Sequence, residues 1–271
     1  MIDSFLLREP YRVTKAQIRF YQKYRFIKLK NVLSSGEIGY YNDVISASVD
    51  ELNREKRPMN DRDTYSKAFI QITNLWRQDE QIKKLVFSPR LAQIAAQLME
   101  VSSVRLYHDQ ALFKEAGGGY TPWHADQYYW PLESDRSITA WIPLQETTLK
   151  MGALEFSAGS HELIDGRGLP IGDDSERMVN EALRKGGFEH VIEPFDLGEV
   201  SFHAGWTYHR AAPNLTSETR KVMCTIYMEG NMRLKNPENE HQKLDWEVWC
   251  PGSTIGDVIK THLNPILFER A

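Results

Sequence analysis

The sequence predicts a mainly β chain with N-terminal helices (α+β). It reads as helical support over 14–100 and an antiparallel β core over about 103–229. Helix caps and helical spacing mark most of the first hundred residues. From residue 103 the pattern changes to short alternating runs rich in β-branched and aromatic residues. Gly, Pro, Asn and Asp separate these runs, which favours a sandwich or barrel over regular βαβ units.

Thr14 is placed to cap a helix over Lys15 to Tyr24, and FIKLK (26–30) reads as a short strand. Ser34 and Glu37 have capping-box spacing ahead of a helix running to about Glu55. Its Ile38, Tyr41, Val44 or Ile45, Val49 and Leu52 fall near one face. The stretch 65–87, YSKAFIQITNLWRQDEQIKKLVF, reads as one helix and a shorter successor. Ser88–Pro89 starts a further helix to about residue 99, because serine caps free N–H groups and proline lacks one. Strands follow at 103–115, 137–144, 153–159, 198–205 and 221–229. Residues 160–195 are too polar and glycine-rich for a simple core element. They read as an excursion, either a lid over the site or a solvated insertion. Residues 230–271 form a closing segment, and the whole of 1–271 reads as one domain.

The chain has 271 residues, enough to bury a large core. Its formal charge is −4 and no long basic run is present, which argues against nucleic acid as a partner. No run approaches bilayer-spanning length, so no membrane association is expected. The start, MIDSFLLREPYRV, lacks the features of a secretory leader. Cys224 and Cys250 form no CxxC pair and imply neither a disulfide framework nor a cysteine-rich zinc site. These features suit a cytoplasmic protein.

The leading chemical feature is His124-Ala125-Asp126 within GGGYTPWHADQYYWPL. On an extended segment, positions i and i+2 point the same way, so an imidazole and a carboxylate can meet one metal. Their hardness and charge suit divalent iron, and a distant histidine would complete a 2-His-1-carboxylate face. Alone, HxD is a weak signal. GEVSFHAGWTYHRAAPNLTSETRKV adds His203, His209 and, eleven residues beyond His209, Arg220. Arginine offers a planar bidentate partner to a dicarboxylate. Both histidines remain candidates on spacing alone.

With these pieces in order, the chain resembles the phytanoyl-CoA dioxygenase family of iron(II)/2-oxoglutarate oxygenases. YHDQALFKEAGGGYTPWHADQYYWPL, SITAWIPLQETTLKMGALEFSAGSH, GEVSFHAGWTYHRAAPN…R and CPGSTIGDVIKTHLNPILF carry the resemblance. It implies a double-stranded β-helix (jelly-roll, cupin-like) core. It also implies a dioxygenase that hydroxylates a small organic metabolite with O2, in specialised or natural-product metabolism, releasing succinate and CO2. The implied iron ligands are His124, Asp126 and His209. The implied grip on the far carboxylate of 2-oxoglutarate is Arg220, with Trp141 flanking it. The serine or threonine that many relatives carry two residues after the distal histidine is Ala211 here. The retained Asp126 argues against halogenation.

Tyr107, Gln71 and Lys114 are further candidates for the cosubstrate end. Gln110, Tyr128, Tyr129, Trp130, His203 and Arg210 are candidates for the substrate. Packing is the alternative role for each aromatic residue. His161 is placed near the site by AGSH, whereas His190, His241 and His262 read as surface or structural residues. The rival readings are a metal enzyme of cupin type without 2-oxoglutarate, and a non-catalytic β domain that binds a small ligand.

Overall fold

The computed structural model describes Leu7 and residues 9–270. Most of MIDSFLLREPYRV, the stretch read for a leader, lies outside them. Helix α1 (Lys15–Tyr24) starts on a capping box between Thr14 and Gln17, and strand β1 (Phe26–Leu29) follows at once. Helix α2 (Ser35–Leu52) starts on the expected box between Ser34 and Glu37. Next come α3 (Thr64–Ala68), β2 (Ile70–Thr73) and α4 (Glu80–Val86). Helix α5 (Pro89–Met99) is capped by the Ser88 hydroxyl, which accepts from the Leu91 N–H.

Eight strands then build two facing sheets: β3 (Ser103–Lys114), β4 (Thr121–His124), β5 (Ser137–Pro143), β6 (Leu154–Ala158), β7 (Glu189–Ile192), β8 (Val200–Ala204), β9 (His209–Ala211) and β10 (Arg220–Glu229). One sheet runs β1-β8-β5-β10-β3-β11, where β11 is Ile266–Glu269, and the other runs β4-β9-β6-β7. Strands β3 to β10 alternate between the two sheets except at the consecutive pair β6 and β7, which is the jelly-roll arrangement. Helix α6 (Asp173–Gly186) lies between β6 and β7, while α7 (Glu240–Trp249) and β11 (Ile266–Glu269) close the chain. The far edge of β3 is shared: β2 pairs with Gln110–Phe113 and β11 with Ser103–Arg105.

The larger sheet separates two apolar layers. On its outer side, Tyr41 and Ile45 of α2 and Leu91, Ile94 and Leu98 of α5 join Met223 and Tyr227 in one cluster. On its inner side, Tyr107, Trp130, Trp141, Phe156 and Cys224 form a second. Alternate residues of β10 therefore feed opposite layers, as strand geometry requires.

Two expectations need correction. The stretch 65–87 is not one helix with a successor, because IQIT forms β2 against β3. Its β-branched residues favour extended backbone, and the open edge of β3 supplies partners for it. Residues 160–195 are not wholly an excursion: β7 pairs with β6 and belongs to the smaller sheet. Val179 and Leu183 of α6 pack with Trp123, Ala125 and Tyr208, so the helix covers the outer side of β4 and β9. The closing segment carries two elements, α7 and β11, that no pattern announced.

Candidate metal centre

His124 ends β4 and faces His209, the first residue of β9, across an antiparallel pairing. Asp126 begins the single turn that follows β4. Ligand atoms of His124, Asp126 and His209 all lie within 4.8 Å of one another. Asp126 Oδ1 is 3.6 Å from His124 Nε2 and 3.7 Å from His209 Nε2.

The second nitrogen of each imidazole is committed. His124 Nδ1–H donates to the Pro122 carbonyl at 2.8 Å, and His209 Nδ1–H donates to the Thr207 carbonyl at 3.0 Å. A carbonyl only accepts, so Nδ1 carries the proton and both Nε2 lone pairs point at Asp126. Burial pushes both imidazoles down to about 4, which keeps them neutral at physiological pH. Burial opposes ionisation of Asp126, but the imidazoles of His209, His203 and His124 outweigh it and hold the carboxyl well below its ordinary range. Thr139 on β5 donates its hydroxyl to Asp126 Oδ2 at 3.1 Å. Two neutral nitrogens and one carboxylate oxygen on one side of a point fit a divalent first-row metal with open positions.

A cavity of about 490 Å³ opens from this group. At its closed end Arg220, the first residue of β10, is only 2% exposed. One guanidinium nitrogen donates to the Gly152 carbonyl at 2.6 Å, while buried Nε has no partner. Its charge lies 5.4 Å from the Trp141 ring centroid, and burial pushes its pKa down to about 10. No carboxylate of the described residues pairs with it, so an anionic ligand fits the vacant donor. Gly152 must be glycine: its φ is +77°, and a Cβ there would lie 2.3 Å from the Ala212 carbonyl oxygen.

Of the residues singled out in the sequence, Gln71, Gln110, Tyr129, Trp130, Trp141, His203 and Arg220 line the cavity with the metal-binding group. His203 Nε2 lies 3.4 Å from Asp126 Oδ2, and its Nδ1 has no hydrogen-bond partner. Four residues sit elsewhere. Arg210 pairs with Glu155 and Glu176 in a separate cleft, because its position in β9 faces away from His209 and Ala211. Tyr128 packs on Tyr129 and His241 outside the cavity lining. Tyr107 donates its hydroxyl to Asp245 of α7 at 3.0 Å. Lys114 is buried behind the wall, where its amine donates to the Gly119 carbonyl and to Thr121 Oγ1. Burial and the nearby Arg220 push its pKa down to about 6. His190 pairs with Glu155, in keeping with a structural role, whereas His241 lines the cavity and was missed.

Thr121 was also missed. It faces Ala211 across the β4–β9 pairing, and both line the cavity, so a hydroxyl stands on the wall where Ala211 offers none. Only the strand register reveals this. Also missed were Tyr65 and Phe69 from the α3 region, His108 of β3, Thr139 of β5, and Asp245 and Trp249 of α7.

The family model for phytanoyl-CoA dioxygenase (PhyH) matches residues 21–222. A probable α-ketoglutarate-dependent hypophosphite dioxygenase of Stutzerimonas stutzeri is 25% identical over 157 residues. That match takes in 55% of this chain and 53% of the relative, so the chain spans about half the relative's length. The fold matches the α-ketoglutarate-dependent carbocyclase SnoK from nogalamycin biosynthesis, with a TM-score of 0.78 at 21% identity, over 95% of this chain and 99% of that one. The epimerase SnoN in complex with Fe3+, α-ketoglutarate and nogalamycin RO gives 0.74 at 22%, over 92% and 96%. EctD from S. alaskensis with 2-oxoglutarate and 5-hydroxyectoine gives 0.70 at 18%, over 97% and 91%. The family match over residues 21–222, on a jelly-roll carrying a His-Asp-His group, shows that the chain belongs to the phytanoyl-CoA dioxygenase family of iron(II)- and 2-oxoglutarate-dependent oxygenases.

Proposed function

We propose that this chain hydroxylates a compact organic metabolite in specialised metabolism, with 2-oxoglutarate as cosubstrate and succinate and CO2 as coproducts. The observation that carries the reading is the pairing of a His-Asp-His group with a buried, unpaired arginine in one cavity. His124, Asp126 and His209 would hold iron(II). Arg220 would take the distal carboxylate of 2-oxoglutarate, beside Trp141 and the Thr121 hydroxyl. Bound iron supplies the activation of O2 that side chains cannot provide.

The protein's part is positioning. The backbone carbonyls of Pro122 and Thr207 aim the imidazoles, and Thr139 steadies Asp126. Aromatic and amide walls would set which C–H bond of the substrate faces the metal, and small displacements there change the outcome. Hydroxylation rather than halogenation is supported by Asp126, which fills the position a halide would need.

The cavity volume suits an organic molecule much larger than hypophosphite, the small oxyanion named for the Stutzerimonas stutzeri relative. Among described residues no helix is long and apolar enough to cross a membrane. Cytoplasmic residence belongs to this proposal, and the buried free thiols Cys224 and Cys250 suit a reducing compartment.

The test is an anaerobic titration of metal-free protein with Fe(II) and then 2-oxoglutarate, followed by visible absorption. A weak charge-transfer band that needs both additions is the expected result. Folded, iron-loaded protein that gives no band would overturn the cosubstrate assignment.

A further inference from the structure

We propose that the cavity takes an organic ammonium ion as substrate, and that Asp245 of α7 is the carboxylate that holds its charged nitrogen. This rests on the reading of the metal end given above and concerns the opposite end of the same cavity. Arg220 marks the closed end. The mouth lies at α7, where Leu244 is 56% exposed. Asp245, next to Leu244 in the chain, is on the cavity wall.

Its surroundings suit a cation. The Tyr107 hydroxyl donates to Asp245 Oδ2 at 3.0 Å and the Trp249 side chain hydrogen-bonds the same carboxylate, which together fix it while leaving two of its roughly four acceptor positions open. Trp249, one turn further along α7, also lines the cavity and stacks on His108 with centroids 4.7 Å apart. Trp130 meets Tyr107 edge-on at 5.6 Å and lines the cavity as well. Aromatic faces beside a carboxylate attract organic cations and exclude the water that would screen them.

Charge balance points the same way. The two positive charges of iron(II) offset the two carboxylates of 2-oxoglutarate, and Arg220 offsets Asp126. Asp245 is then left without a cation, because among the described residues no lysine or arginine other than Arg220 lines the cavity. Lys114 lies behind the wall and contributes little charge at neutral pH. Burial pushes the Asp245 carboxyl up to about 7, the direction expected of a carboxylate that lacks a cation. An ammonium group would supply that cation, whereas an anionic substrate would meet repulsion. The neutral chain in which the Tyr65 hydroxyl donates to Gln71 and the Gln71 amide donates to Gln110 can serve the remaining polar groups of the molecule.

The test compares benzylamine, benzyl alcohol and benzoate, which share one ring and differ in charge. Each is titrated calorimetrically into anaerobic protein loaded with Fe(II) and 2-oxoglutarate. Benzylamine is expected to bind at least about tenfold more tightly than the alcohol, with benzoate weakest. In D245N that preference should fall to about twofold or less, with the charge-transfer band retained. Equal or tighter binding of the alcohol or benzoate would overturn the proposal, as would no benzylamine binding at millimolar concentration or an unchanged preference in D245N. The wild-type order alone decides the matter if D245N fails to fold. The charge-transfer band reports on the metal and cosubstrate independently, so its loss would refute that reading and not the ammonium site.

Discussion

Replacing Arg220 with methionine should leave the ligand-free protein nearly as stable as the wild type while abolishing its stabilisation by 2-oxoglutarate. The reasoning begins with burial. The guanidinium pKa falls from 12.5 to about 10 because the cation is desolvated. That corresponds to a folding cost of about 3 kcal/mol for the charged form. A lowered pKa on a base means the cost is fully present at neutral pH and fades only as pH rises past about 10. Methionine removes this cost and keeps most of the volume. The bond to the Gly152 carbonyl is lost in exchange, at about 1–3 kcal/mol. The two terms nearly cancel, so the apo variant should lie within about 2 kcal/mol of wild type. Removing an arginine from a satisfied buried ion pair would instead cost about 3–5 kcal/mol. In the wild type, 2-oxoglutarate at one hundred times its Kd adds about 2.7 kcal/mol. Urea unfolding of anaerobic, iron-loaded protein with and without 2-oxoglutarate reads both quantities. A ligand-induced gain equal to wild type in R220M would refute the reasoning, and so would an apo loss above about 4 kcal/mol.

D126A should lose iron affinity and product formation together, and undiminished product at matched iron and 2-oxoglutarate would remove Asp126 from its proposed role. T139V should weaken iron binding by about 10–100-fold with little change in Tm, because it deletes only the hydroxyl that steadies Asp126; competition against a chelator measures it. Acid should destabilise the apo protein between pH 6.5 and about 4. His108, like His124 and His209, is pushed down to about 4 by burial, so in that window the unfolded chain binds a proton at each of them and the folded chain does not. H108F should remove the His108 share of the loss, up to about 1.4 kcal/mol per pH unit, and an unchanged pH slope would show that His108 does not contribute.

Features written within a few residues were legible in the sequence. Thr14, Ser34 and Ser88 announce their helices because a cap and its target lie three residues apart. His124 and Asp126 were readable for the same reason, and distant His209 and Arg220 were found through the family pattern. Strand β2 was not readable, since IQIT lies between helical stretches and only its pairing with β3 makes it extended. Strands β4 and β9 are four and three residues long, too short for a period to show. Thr121 required the register that sets it opposite Ala211. Asp245 and Trp249 sit on a weakly amphipathic helix more than a hundred residues from the HxD motif, and nothing local links them to it.

Both metal-facing imidazoles are braced by the carbonyl two residues earlier in the chain, that of Pro122 within β4 and that of Thr207 just before β9. Each imidazole is therefore aimed by its own tripeptide, with α6 packed behind both through Trp123 and Tyr208. The outer walls come from other stock: α3, the Pro170–Ile171 loop and α7. Mutation can thus remodel the entrance wholesale while the inner fittings stay in register, and a lineage can exchange one substrate for another without ever passing through an ancestor unable to hold its metal.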